Sequence, residues 1–429
     1  MTGSRLAAAL VERGLDEVDR PSIAELFDRV LAAARPDRGW SHAWWTPGRL
    51  EVFGTHTDYA GGRSVVCAVP KGIALAARSR DDDSFAVEDV AVRESALIAA
   101  GTEPSVFSGW RRYIATATGR LWRNFPGAVR GCDVAFESTL PRASGMSSSS
   151  ALIVAVSAAV VELNGLHEDP RWVANIRSPL DVARYFACIE NGRSFGTLTG
   201  DAGVGTHGGS EDHAAILTGR PSAVTGFRFA PMTRLDDVIL PAAWRFVIAP
   251  SGVRAEKTGS AQASYNHLAD QVQALLDLWN QHEPLAASLA DAIHRGPGAV
   301  ERLKAIVGRA PLTDAEVESL TRRLEHLVRE DRIVADALDA VRRADAARIG
   351  DLSSESQAIA ESLLRNQVPE TIRLAAEARR LGAFAARSFG AGFGGSVWAL
   401  VDAASAPQFA AAWHRDAFIM RPGPAHARL

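Results

Sequence analysis

From Cys132 to Glu137 the side chains sort by twos. Cys132, Val134 and Phe136 fall on one side and Asp133, Ala135 and Glu137 on the other, which predicts a strand with two distinct faces. Ala151 to Leu163 is almost wholly apolar. It is too short to cross a bilayer and reads as a buried helix. Elsewhere the apolar positions follow the helical period. Leu268, Val272, Leu275, Leu276 and Trp279 share one face, as do Ile333, Val334, Ala337, Leu338 and Val341. Residues 1–38 read as charged, amphipathic helix, and a strand-rich block is predicted from about Trp40 to Phe85. Trp244 to Ala249 and Ser396 to Val401 read as further strands. The stretch from Asn191 to Gly209 holds seven glycines and reads as loop. The pattern changes between Leu235 and Ala243, so two domains are expected, 1–235 and 236–429.

Three loops carry candidate chemistry. Pro141-Arg142-Ala143-Ser144-Gly145-Met146-Ser147-Ser148-Ser149-Ser150-Ala151 lies between the 132–137 strand and the apolar helix. A loop of small residues opening a helix leaves backbone N–H groups free for an anion, and the helix N-terminus adds positive potential. A nucleotide phosphate is the expected anion, and serine hydroxyls suit a Mg²⁺ shell. A flexible linker would not sit between two such elements. The second loop, Pro47 to Gly62, packs His56, Asp58, Tyr59, Thr55 and Thr57 between glycines. That density of short hydrogen-bonding groups suits a polyhydroxyl ligand; a polar turn stabilised by Asp58 is the other reading. The third, Gly390-Ala391-Gly392-Phe393-Gly394-Gly395, fits GxGxxG. A dinucleotide site needs a helix directly after the glycines and an acidic residue further on. Here a strand follows at once and little chain remains, so a tight turn beside a ligand or another loop fits better. GxxxxGK[ST] does not occur, which excludes a Walker-type phosphate loop.

The bulk composition narrows the class. The 429 residues are 47% apolar and 23% charged, with net charge −3 and no long basic block. Nucleic-acid binding is not suggested. The three cysteines, Cys67, Cys132 and Cys188, give neither a disulfide framework nor a CxxC metal site. The first twenty residues lack a secretory apolar core, no segment suits a membrane span, and the cytoplasm is the expected compartment.

In this order and at these distances, the three loops resemble the signature motifs of the GHMP kinase superfamily, and its galactokinase family most of all. The galactokinase motif PGRVNLIGEHTDYNGG is similar to PGRLEVFGTHTDYAGG here, and the other two motifs resemble Pro141 to Ala151 and GAGFGGSVWALV. Weaker similarity covers Trp110 to Tyr113, Pro179 to Asn191 and a predicted helix ending in Arg387. The resemblance implies an α+β, two-domain GHMP kinase fold. Its N-terminal domain would be of the ribosomal protein S5 domain 2-like type, its C-terminal domain ferredoxin-like, and the active site would lie in the cleft between them. It implies an ATP-dependent kinase that phosphorylates the anomeric hydroxyl of galactose or a related monosaccharide, with Mg²⁺, as a monomer or homodimer. Neither nucleic acid nor membrane is an expected partner.

Matching positions carry the family roles over. Gly209-Ser210-Glu211-Asp212-His213 resembles the family's G-I-M-D-Q segment, making Asp212 the catalytic aspartate and Arg49 its partner on the transferring phosphate. Pro141, Ser144, Gly145, Met146, Ser147, Ser148, Ser149, Ser150 and Ala151 would bind the nucleotide. Ser149 and Glu190 would hold Mg²⁺. Thr55, His56, Asp58, Gly209 and Tyr265 would line the sugar site.

Four departures bear on the acceptor. Thr55 replaces a glutamate that holds the sugar's 6-hydroxyl in the family, so it is expected to admit a pentose, a 6-deoxy sugar or a uronate. The segment between Glu190 and Asp212 is lengthened. Glu211 and His213 replace Met and Gln. The stretch from Arg254 to Tyr265 is also long and carries Lys257. L-arabinose and galacturonate are therefore alternative acceptors, and a non-catalytic sugar sensor is the alternative of another class.

Overall fold

The computed structural model describes all residues except 34–38, 142–143 and 255–259. Lys257 lies outside the described residues. The chain builds two sheets. In the larger, the order is Ala427–Arg428, His42–Phe53, Arg63–Ser79, Cys132–Ser138, Ser84–Asp89 and Glu94–Ala99. The hairpin of Ala223–Phe229 and Met232–Ile239 joins it along the start of Arg63–Ser79. The pairing of Ser84–Asp89 with Cys132–Ser138 is parallel and the other pairings are antiparallel.

Arg63–Ser79 is a near-continuous apolar run because both of its faces are covered. Ala74 and Ala76 pack with Leu6, Leu10 and Phe27 of the helices Gly3–Glu12 and Arg20–Ala32. Ile73, Leu75 and Ala77 face the other way, into the main core with Val154 and Val156 of the helix Ser148–Leu163. Cys132–Ser138 divides as its alternation predicts. Cys132, Val134 and Phe136 enter the main core, and Ala135 joins the N-terminal helices.

The smaller sheet runs Phe418–Met420, Trp244–Pro250, Ser396–Asp402, Ala385–Phe389, all antiparallel. One face, with Val247, Val397 and Ala399, packs on the helices Pro369–Arg380 and Ala406–Trp413. The other face sends Phe246, Ile248 and Trp398 into the main core, where Phe53 meets Trp398 edge-on at 5.9 Å. The two sheets therefore share one core. The two helical faces read from the sequence are both buried. Val272, Leu275 and Trp279 of Ser260–His282 pack against Leu320, Leu324 and Leu327 of Asp314–Arg342, whose Ile333, Val334 and Ala337 then reach the main core.

Three expectations are adjusted. Residues 1–33 form two helices rather than one, separated by a short 3₁₀ turn at Glu17–Asp19 with Pro21 at the start of the second; proline's fixed φ suits a first turn and not a helix interior. Position 235 falls inside the strand Met232–Ile239, and the chain leaves the larger sheet only between Ile239 and Trp244. Arg387 lies in the strand Ala385–Phe389, not at a helix end. The preceding helix stops at Arg380, and Gly382 turns the chain at φ +97°.

Candidate active site

Arg49 stands on the strand His42–Phe53, beside a register shift between Pro47 and Arg49. The serine loop crosses this point closely. The Arg49 N–H donates to the Met146 carbonyl at 3.2 Å. A Cβ at Gly48 would lie 2.6 Å from that same carbonyl oxygen, so only glycine lets the two loops touch. The Arg49 guanidinium is buried and forks. Its Nε donates to Asp212 Oδ1 at 2.7 Å and an Nη donates to the Gly145 carbonyl at 2.5 Å, with Glu211 Oε1 3.4 Å from Nε. Asp212 Oδ2 accepts from Ser150 Oγ at 3.0 Å. One carboxylate thus joins the PGR strand, the serine loop and the first turn of the helix Glu211–Thr218.

The serine loop divides its labour. Met146 and Ala151 are buried in the main core and anchor it. Ser144 Oγ donates to the Pro141 carbonyl at 2.8 Å. Gly145, at φ +79°, lies against Phe389, so the loop abuts the third motif. Ser147, at φ +58°, precedes the helix Ser148–Leu163 without a side-chain cap. The first-turn N–H groups, Ser148 among them, remain available to an anion. Ser149 Oγ donates to Glu190 Oε1 at 3.4 Å, while Glu190 Oε2 lies 3.3 Å from His213 Nε2. Arg142 and Ala143 lie outside the described residues.

Those oxygens fit Mg²⁺. Among the described residues no group of three or more His, Cys, Asp or Glu forms a metal cage. An ion that keeps waters and phosphate oxygens needs only one or two protein ligands, and hard hydroxyl and carboxylate oxygens suit it. Ser149 and Glu190, from the helices Ser148–Leu163 and Pro179–Asn191, would be such a pair.

His56, Asp58, Tyr265, Gly209 and Asp212 line one pocket, which also takes in Arg49, Glu51, Ser150, Glu190 and Glu211. His56 Nδ1 is 2.7 Å from the Tyr59 hydroxyl, and its Nε2 is 3.0 Å from the Ala391 carbonyl. Because Arg323 donates to the same hydroxyl at 2.9 Å, Tyr59 donates to His56 Nδ1 and the His56 Nε2–H donates to Ala391. The first and third motifs are thereby tied through one imidazole. The Tyr265 ring lies 5.2 Å from the His56 ring. Asp58 accepts from the backbone N–H of Glu211 at 3.1 Å and of Tyr59 at 2.8 Å. A Cβ at Gly209 would overlap the Asp58 carboxylate.

Thr55 is not in this pocket. It is buried behind it, its hydroxyl bonded to Glu51 and Arg387. Arg387 in turn reaches Glu330 Oε1 at 3.3 Å, and Glu330 accepts from the Gly54 N–H at 2.8 Å. The expected sugar contact of Thr55 is therefore corrected: Gly54, at φ +104°, turns the chain so that Thr55 points into this network. From this strand it is Glu51, two residues beyond Arg49 on the same face, that meets the pocket. Period-two alternation was the signal that places it there, with Leu50 and Val52 turned into the core.

The electrostatics follow from crowding. Burial alone would lower the Arg49 pKa, but Asp212, Glu211 and Glu51 outweigh it and hold it above its ordinary value. Burial pushes Asp58 up. It pushes Glu51 up as well, against Arg387 and Arg49. Burial and the neighbouring Glu51 push Glu211 well above the ordinary 4.5.

Comparison with known proteins agrees with this arrangement. Residues 112–219 match the GHMP kinases N terminal domain, 337–419 match GHMP kinases C terminal, and 29–79 match the galactokinase galactose-binding signature. The chain belongs to the GHMP kinases. Within that superfamily it is 26% identical over 370 residues to a galactokinase of Exiguobacterium sibiricum, covering 84% of this chain and 85% of the relative. It is 29% identical over 366 residues to a galactokinase of Mycobacterium tuberculosis, covering 84% and 89%. Lactococcus lactis galactokinase complexed with galactose superimposes with a TM-score of 0.74 at 20% identity, over 90% of this chain and 95% of that one. Methanococcus jannaschii mevalonate kinase gives 0.58 at 15% identity, over 89% and 98%. These likenesses establish a GHMP kinase fold over 90% of the chain, and the signature at 29–79 contains Arg49, His56 and Asp58.

Proposed function

We propose that this GHMP kinase transfers the γ-phosphoryl group of ATP to the anomeric hydroxyl of galactose or a closely related sugar. The observation that carries the reading is Asp212, held by Arg49 at 2.7 Å and by Ser150 at 3.0 Å between the serine loop and the polyhydroxyl-type pocket. Phosphoryl transfer asks for positioning and charge neutralisation rather than covalent help. Asp212 orients the sugar hydroxyl and accepts its proton. Arg49 keeps Asp212 in place through its fork and stabilises the charge on the moving group. The residues from Ser144 to Ala151 cradle the phosphates, with uncapped N–H groups in the first turn of the helix before Ala151, whose own N–H donates to the Ser147 carbonyl. His56, Asp58, Gly209 and Tyr265 hold the sugar. Mg²⁺, held by Ser149 and Glu190, would neutralise phosphate oxygens.

A coupled ADP-release assay over a panel of aldoses tests this. Turnover with galactose or a near relative is expected, and Asp212→Ala should abolish it while leaving ATP affinity nearly unchanged. Tight ATP binding with no turnover on any sugar would favour a sugar sensor instead.

A further inference from the structure

A second cleft lies beside the end of the first motif and shares no lining residue with the pocket that holds Asp212. Its volume is about 390 Å³, within the range of small-molecule sites. Gly61 and Gly62 form one wall, and Arg63, Arg228, His294 and Asp331 bring charge to it. Arg63 and Arg228 stand directly opposite each other on the antiparallel strands Arg63–Ser79 and Ala223–Phe229. Opposed residues share a sheet face, and like charges so placed repel. Asp331 neutralises one of the two: Arg63 Nε and an Nη donate to its two carboxylate oxygens at 2.9 and 2.6 Å. Arg228 is exposed, and its guanidinium meets no acid among the described residues. The other acid of the cleft, Asp291, accepts from Arg295 at 2.8 Å and from the Ala287 N–H at 3.0 Å. His294 Nδ1 is 2.7 Å from the Ala290 carbonyl, and its Nε2 is 3.3 Å from Asp331 Oδ2. Both ring nitrogens face acceptors, which only the imidazolium satisfies. The Asp331 carboxylate accordingly holds the His294 pKa above its ordinary 6.5, against burial and the nearby Arg63.

Two opposed arginines, one of them without an acid, and an imidazolium across the cleft suit an oxyanion. We propose that this cleft is a second binding site, which takes the phosphate group of a small phosphomonoester on Arg228, with Arg63 and His294 beside it. None of these residues belongs to the machinery that the kinase reading uses. The Arg228 fork can donate two parallel bonds to adjacent phosphate oxygens. A phosphomonoester carries about −1.5 to −2 charges at neutral pH, so it can answer Arg228 and His294 together and leave Asp331 on Arg63. A carboxylate brings one charge and two oxygens, and answers one of them. A cation is the wrong ligand, because Asp331 and Asp291 already have arginines of their own. The volume leaves room for an organic group beyond the phosphate.

The test is calorimetric titration of methyl phosphate, a minimal phosphomonoester, onto protein saturated with a non-hydrolysable MgATP analogue, so that the serine loop is already filled. One saturable site is expected, and acetate should bind it at least about tenfold more weakly. Arg228→Gln should weaken methyl phosphate at least about tenfold, the loss expected of a charge-assisted contact. The same variant should hold or raise the melting temperature without ligand, because it removes a cross-strand repulsion. Arg228→Lys keeps the charge and loses the fork, so its affinity should fall between the two; it also serves if the Gln variant does not fold. His294→Gln should cost more affinity at about pH 6 than at about pH 8, where the wild-type ring has itself lost its proton. Binding that never saturates, equal affinity for acetate, or wild-type affinity in Arg228→Gln overturns the proposal. If the MgATP analogue does not bind, the kinase reading fails separately, and the comparison of wild type with Arg228→Gln still decides whether this cleft holds the phosphate.

Discussion

Replacing Arg49 by lysine separates charge from geometry at the centre of the site. The arginine spends two donors of one rigid fork, on Asp212 at 2.7 Å and on the Gly145 carbonyl at 2.5 Å. Lysine keeps the positive charge, but its compact ammonium on a flexible stem cannot reproduce the planar fork. If it reaches Asp212 it forfeits Gly145, and the serine loop keeps its bond from Ser150 to Asp212 but loses the one through Gly145. A lost charge-assisted bond to a buried acceptor costs about 1.5–3 kcal/mol. At about 1.36 kcal/mol per tenfold change in rate, that is roughly 10- to 150-fold in kcat/KM. If Coulomb attraction alone mattered, the loss would stay within about threefold, since the charge is retained. The assay is ADP release at saturating ATP, read beside a thermal unfolding curve. A folded Arg49→Lys protein with wild-type kcat/KM would refute the reasoning. Arg49→Met is the harsher companion. It leaves Asp212, Glu211 and Glu51 buried without their shared cation, a loss of about 3–5 kcal/mol from a total typically of only about 5–15 kcal/mol.

Thr55→Glu should give no gain of galactose turnover and should lower the melting temperature, because it buries another acid between Glu51, Arg387 and Glu330; higher galactose activity at an unchanged melting temperature would count against the buried placement. Gly209→Ala should raise the sugar KM about 10- to 100-fold by displacing Asp58 with the ATP KM unaltered, and an unchanged sugar KM would remove Asp58 from the acceptor site. Glu211 binds its proton more tightly folded than unfolded, so its contribution favours folding at low pH and is lost as pH rises from its ordinary 4.5 through its raised folded value. Denaturant titrations across that range should show a shallower loss of stability in Glu211→Gln, and an identical slope would mean that the carboxyl is not strained by burial.

The local chemistry of this chain was legible because it rests on short-range rules. A small-residue loop opening an apolar helix, a period-two strand before it and glycine-flanked polar groups each state their own geometry. They directed attention to the serine loop, His56 and Asp58; the family resemblance, not local pattern, added Arg49, Ser149, Glu190 and Asp212, and the fold gathers these residues around one cleft. Glu51 was equally legible in principle, since strand alternation puts it beside Arg49. Thr55 was misread because a single left-handed glycine, Gly54, ends the alternation and reverses which side chain meets the pocket. The change of pattern between Leu235 and Ala243 lies where the chain leaves the first sheet, after Ile239, but the residues up to Ile239 are held in that sheet by long-range pairing of the hairpin from Ala223 to Ile239 with Arg63–Ser79.

The sequence by itself determined the periodicities, the turn-forming glycines and the order of the three loops, all properties of residues close along the chain. Only the tertiary structure decided which carboxyls share Arg49. Charge balance in a buried site is a sum over groups brought together from distant segments: Glu51 from a strand, Asp58 from a turn, Glu211 and Asp212 from a helix start. That sum gathers Asp212, Glu211 and Glu51 about the Arg49 guanidinium, and it turns Thr55 away from the pocket toward Glu51 and Arg387.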